Sequence, residues 1–114
     1  MTPAEIMEGM AEKNRLLTSK NDEYVLLTEK RAIAEQAYNV ALAAATIRLR
    51  LDGQSVTLIP VLAKGDEIVS KFKMKFEICL GVERACLESI KDLRIKIDSY
   101  RSLLAWLKAE MTAQ

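Results

Sequence analysis

Along the C-terminal half of the chain, Val69, Phe72, Phe76, Cys79, Glu83, Cys86, Ile90, Leu93, Ile97, Tyr100, Leu104, Leu107 and Met111 follow one another at strict steps of three and four. All of these positions but Glu83 are apolar or aromatic, which is the signature of a long helix with one apolar stripe facing a neighbour. Mostly charged residues lie around the stripe. Glu67 before Lys71 and Asp92 before Lys96 have the spacing that favours helical ion pairs. A second series, Leu26, Ile33, Ala37, Val40, Ala44, Ile47 and Leu51, follows the same steps once Lys30 is skipped. It predicts that the N-terminal half forms the other helix of a coiled-coil pair, using this series as its seam.

Punctuation fits these two helices. Thr2, Pro3 and Glu5 supply an N-cap, a proline at the first helical position and the acidic partner of a capping box, so the first helix is expected from residue 3 to 51. Thr, Ser, Asn and Asp cluster between Thr18 and Glu23 and compete for backbone hydrogen bonds, which predicts a kink or a frayed first segment there. Asp52-Gly53 gives a C-terminal stop. Residues 52–65 form a connector in which Thr57 is expected to cap one turn holding Pro60, with Gly65 ending it and Asp66 capping a last helix over 66–111. A strand reading competes: Ile47 to Leu51 and Phe72 to Ile78 both alternate, Asp52-Gly53 is a hairpin signal, and a small β-meander would then sit between the helices. Phase favours helix, because both segments keep the heptad frames of the sequences beside them. The fold expected is therefore all-α, a single domain over 1–114 forming a long antiparallel hairpin.

The apolar half of the composition exceeds what one hairpin covers. Leu80, Leu87, Ile95, Leu103 and Trp106 lie off the main stripe of the last helix, so self-association into a bundle is expected. Phe72, Phe76, Leu80, Leu87, Ile90, Leu93, Ile97, Tyr100, Leu103 and Trp106 are the candidate interface residues, Trp106 either as a packing anchor or as an interface hot spot. Glu83, the one charge in the stripe, either reaches solvent or an Arg or Lys near a seam edge, or is a buried group that fixes register or oligomer state.

Chemistry is sparse by comparison. The chain has no histidine, which removes the commonest general base and imidazole-bound zinc. Cys79 and Cys86, seven apart, would stand about 10 Å apart on a helix, too far for a disulfide within it. They are expected as free core thiols, with a cross-link between two chains as the alternative. The carboxylates Glu88 and Asp92 neighbour each other on a charged face, and Gly53 and Gly65 lie outside any phosphate-loop motif. No catalytic set, metal site or cofactor is expected. Net charge is +1, giving no overall field toward nucleic acid or membrane. Locally, Arg48, Arg50, Lys64, Lys71, Lys73 and Lys75 stand against Asp52, Asp66 and Glu67, a mildly basic tip that would contact single-stranded nucleic acid if its residues converged. The N-terminus lacks the charge and apolar run of a signal peptide, and Val40–Ala45 is the longest apolar run, so a cytoplasmic protein without a membrane span is expected.

From Leu49-Arg50-Leu51-Asp52-Gly53 through Val56-Thr57-Leu58-Ile59 to Ala63-Lys64-Gly65-Asp66 and on to Trp106, the chain resembles a group of small helical proteins from phages and prophages of Gram-positive bacteria. These are often encoded in the early region beside single-strand-binding and recombination proteins. The resemblance covers roughly residues 34 to 111 and is most specific at the turn. It implies a helical connector, a phage setting in the host cytoplasm and a phage or host protein as partner, and carries over no functional residue. The two-helix outline is also similar to the β-type subunit of prefoldin, whose arms flank small hairpins. Secreted WXG-type hairpins are similar in size but carry a Trp-x-Gly turn that is missing here. The function expected is that of a non-enzymatic, self-associating protein-interaction module, with a single-strand binder or a prefoldin-like chaperone subunit as alternatives.

Overall fold

The computed structural model describes residues 1–113. Three helices follow in order: α1, Pro3–Leu51; α2, Ile59–Lys64; and α3, Glu67–Ala113. No strand occurs among the described residues, so the β-meander and the prefoldin-like hairpins are not formed. The molecule is an all-α helical hairpin.

Each boundary has a local cause. At the start of α1 the Glu5 backbone N–H donates to Thr2 Oγ1 at 3.2 Å, filling a donor that the first turn leaves unpaired. The expected break between Thr18 and Glu23 is absent, because the competing side chains are absorbed by the helix itself. Thr18 donates back to the Asn14 carbonyl at 3.1 Å, and Lys20 pairs with Glu23 at 3.0 Å. α1 ends in a Schellman motif. Gly53, at φ +79°, donates to the Arg50 carbonyl, and Gln54 reaches back to the Leu49 carbonyl, both at 3.1 Å.

In the connector, Pro60 lies in the first turn of α2 and Gly65 follows its last residue. Thr57 does not cap it, contrary to expectation. The Ser55 carbonyl accepts from Leu58 and Ile59 instead, while the Thr57 hydroxyl meets that of Ser55 at 3.0 Å. Asp66 caps α3 as its sequence position suggests, with Oδ1 accepting from Ile68 at 3.0 Å and Val69 at 3.1 Å. The predicted ion pairs Glu67–Lys71 and Asp92–Lys96 both form, at 3.3 and 3.0 Å.

The chain divides into two compact units. One comprises Met1–Val25 together with the chain from Arg84 onward. Its core is Ile6 from α1 with Cys86, Ile90, Leu93 and Ile97 from α3. The Cys86 thiol donates to the Lys20 carbonyl at 3.6 Å, and the Tyr100 ring lies against Gly9 so closely that an added Cβ would stand 2.8 Å from it. The other unit is Leu26–Glu83. Here Ala45 of α1, Ala63 of α2 and Val69 of α3 are buried together, with Tyr38, Ala41, Leu42 and Leu49 packed around them. Tyr38 stacks on Phe76 at 6.0 Å, Arg31 meets Glu83 and Arg48 meets Asp66. Rising numbers on α1 thus meet falling numbers on α3, as antiparallel helices require.

The stripe on α3 is the one its spacing predicts, buried at Val69 and from Glu83 through Ile97, half-buried at most other positions, and exposed at Phe72 and Met111. The stripe on α1 is not. The face turned to α3 carries Ile6, Met10, Lys13, Leu17, Lys20 and Tyr24 in the first unit, and Leu27, Arg31, Ala34, Tyr38, Ala41, Ala45 and Leu49 in the second, all half-buried or buried. These positions also follow steps of three and four. Lys13, Lys20 and Arg31 interrupt the apolar pattern, so hydrophobicity alone favours the wrong frame. Long cations of this kind can cover apolar surface with their aliphatic stems.

The glycines within the helices give a contrasting test. Gly81 is helical with open space where a Cβ would go, so Gly81→Ala is expected to stabilise by about 1 kcal/mol through helix propensity. Gly9→Ala carries the same propensity gain but must displace the Tyr100 ring. Thermal unfolding followed by circular dichroism should show a raised midpoint for Gly81→Ala and none for Gly9→Ala.

Candidate functional site

Turning Arg31 inward leaves the other α1 series outward. Leu26, Ile33, Val40 and Ile47 are 57–62% exposed and Leu51 is 83% exposed, although their spacing is that of a coiled-coil seam. Ala37 and Ala44 lie between them. The central part of this stripe lines an open groove of about 470 Å³ with Ala41, Gln36 and two residues of α3, Ile68 and Phe72. A long apolar stripe left in water on a surface helix marks a surface that another helix can cover. Tertiary packing makes this the strongest candidate interaction surface of the Leu26–Glu83 unit.

Beneath it lies the ion pair that orients α1. The Arg31 Nε donates to Glu83 Oε2 at 3.0 Å, and its terminal nitrogen donates to Glu35 Oε2 at 2.8 Å, so one planar guanidinium serves two carboxylates. Hydrogen bonding to Glu83, then to Glu35, raises the Arg31 pKa and keeps the cation charged. Glu83 is buried at 9% exposure and reaches a cation, Arg31, as the first of its two readings expects.

The interface residues expected on α3 separate into three groups. Ile90, Leu93 and Ile97 are buried in the core of their own unit and are not open to a partner, because their stripe is the one α1 already covers. Phe76, Leu80, Leu87, Tyr100 and Leu103 are half-buried, Phe76 against Tyr38 and Tyr100 against Gly9. Phe72 and Trp106 are exposed. Of the two thiols, Cys86 is buried and Cys79 half-buried, and both are free.

Of the six basic residues expected at the tip, two are held in ion pairs. Arg48 is held by Asp66 at 2.6 Å and Lys71 by Glu67 at 3.3 Å. Arg50 lies in the last turn of α1 and Lys64 in the last turn of α2. On α3, Lys73 is set about 200° around the helix from Lys71 and Lys75, so these three lysines cannot line one groove. Among the described residues no group of three or more Cys, Asp or Glu side chains is placed to hold a metal ion, and no helix is long and apolar enough to cross a membrane. Comparison with protein-family models, curated proteins and solved structures finds no match to this chain.

Two measurements test these electrostatic contacts. Arg31→Leu leaves Glu83 buried without its cation, whereas Glu83→Leu leaves Arg31 with Glu35 and water. The first is expected to lower the urea midpoint more than the second, and the double variant to recover much of the loss. For Asp66, the Val69 N–H first and the Arg48 guanidinium second hold the carboxyl below the usual carboxylate range, against a smaller opposing effect of burial. A depressed folded pKa means that this contribution is complete above the unfolded value, near ~4, and is lost as pH falls through the folded one. Asp66→Asn should therefore be less stable than the parent at neutral pH, and the gap between them should narrow on acidification.

Proposed function

We propose that this chain is a non-enzymatic protein-interaction module that binds further copies of itself through the exposed stripe on α1. The observation that carries the reading is the outward series Leu26, Ile33, Val40, Ile47 and Leu51, a second heptad seam on a helix whose first seam is already filled. Apolar side chains at these spacings gain by covering one another and offer no chemistry to a small substrate. The resemblance of residues 34–111 to early-region phage proteins supports a setting in phage replication or recombination in the host cytoplasm, where the assembled module engages a phage or host protein. A role in holding single-stranded nucleic acid has less support, because Arg48 and Lys71 are paired and Lys73 lies on the far side of α3 from Lys71 and Lys75.

Sedimentation equilibrium tests the proposal. The parent chain is expected to associate at micromolar concentration, and Val40→Lys, which puts a charge at the centre of the stripe, to be monomeric with unchanged helicity by circular dichroism. A parent chain that stays monomeric up to roughly millimolar concentration, where interfaces of about −4 kcal/mol would still register, overturns it. Binding of labelled single strands at low salt would favour the nucleic-acid reading instead.

A further inference from the structure

We infer that the occupant of the α1 stripe is the α1 of a second copy, lying antiparallel in a register where residue numbers on facing core positions add to 77. This rests on the self-association proposed above and specifies its geometry. The stripe alternates two kinds of position. Leu26, Ile33, Val40 and Ile47 are large, whereas the positions between and beyond them are Lys30, Ala37, Ala44 and Leu51. Positions of one kind face their own kind when helices run parallel, and face the other kind when they run antiparallel. A parallel pair would set Lys30 against Lys30, Ala37 against Ala37 and Val40 against Val40, giving a charge clash, a void and a bulge in turn. The antiparallel pair sets Val40 against Ala37 of the second copy, Ile33 against Ala44, Leu26 against Leu51 and Ile47 against Lys30, whose aliphatic stem covers the isoleucine while its ammonium reaches water. Each central layer then holds one branched aliphatic side chain and one methyl, an even spacing that brings the backbones close.

Charge complementarity selects the same register independently. The residues preceding the second kind of position, on the free side of the stripe, are Glu29, Gln36, Ala43 and Arg50. In an antiparallel pair with core numbers adding to 77, flanking numbers add to 79, which brings Glu29 to Arg50 of the second copy and Arg50 to its Glu29. Both are exposed, and among the described residues neither has an ion-pair partner within its own chain. In a parallel pair Glu29 would face Ala34 and Arg50 would face the connector. Flanking charges of this kind choose partner and orientation in helix pairs. The stripe runs from Leu26 to Leu51, about seven turns or ~37 Å of helix, and Ile68 and Phe72 of α3 extend the apolar groove beside it.

Charge reversal separates this register from self-association in general. Glu29→Arg gives two cations at each paired site and Arg50→Glu gives two anions, so each variant alone is expected to dimerise roughly tenfold more weakly than the parent. The doubly reversed E29R/R50E chain should regain parental affinity. Mixing the two single variants should give a heterodimer in preference to either homodimer, read by native mass spectrometry. If the parent dimerises but the single variants dimerise equally well, or the double reversal fails to recover and mixing shows no preference, the register is overturned while self-association stands. A monomeric parent overturns both.

Discussion

Glu83 places a carboxylate in the middle of an otherwise apolar stripe, and the rest of the Leu26–Glu83 unit is arranged around satisfying it. An ionised carboxylate shielded from water is costly unless a cation and good hydrogen-bond geometry accompany it. Arg31 supplies both, its fork reaching Glu83 and Glu35 together. Because a helix is rigid, pointing Arg31 at α3 also points Ala34, Tyr38, Ala41 and Ala45 at α3, which brings Tyr38 onto Phe76 and Ala45 beside Val69 and Ala63. The same rotation turns Ile33, Val40 and Ile47 away. The exposed stripe is thus the geometric consequence of the ion pair.

This arrangement explains why the more apolar face of α1 is the one left in solvent. Against α3, the inward face offers a stacked aromatic, a guanidinium in place for Glu83 and small residues where α2 approaches. The outward face offers aliphatic bulk at one kind of position and methyls at the other, a surface suited to a helix of its own kind. A hairpin that used the outward series internally would leave Tyr38, Leu42 and Leu49 outside and give the buried carboxylate a lysine at residue 30 in place of a guanidinium fork. The apolar content of the chain beyond what its own helices cover is accordingly concentrated on one narrow, regularly spaced line.

The connector makes this possible through its brevity. A Schellman turn at Gly53, one turn of helix around Pro60 and the Asp66 cap return the chain between Leu51 and Glu67, with Ile59 and Ala63 of α2 buried. Arg48 crosses to Asp66, so the cap of α3 is tied to the last turns of α1. That contact pairs one cation of the basic tip, and Glu67 pairs another.

Much was legible from residues alone: two long helices with a turn in the connector between them, their caps at Thr2 and Asp66, the stop at Gly53, and the α3 stripe with Glu83 in it. These depend on local backbone chemistry and on periodicity, both written along the chain. The direction of the hairpin follows from the length of the connector. Which face of α1 meets α3 could not be read that way. Two series at the same spacing run along that helix, and the one with the cleaner apolar pattern is outside. Lys13, Lys20 and Arg31 mask the true seam, since a long cation counts as polar in a pattern yet covers apolar surface with its stem in a structure. The Thr18–Glu23 cluster was likewise ambiguous, being able to break a helix or to bond back along it. Sequence therefore determined the elements and where they end, because those are settled within a few residues. Tertiary structure alone decided the rotation of α1, because that depends on a carboxylate 52 residues away finding its guanidinium.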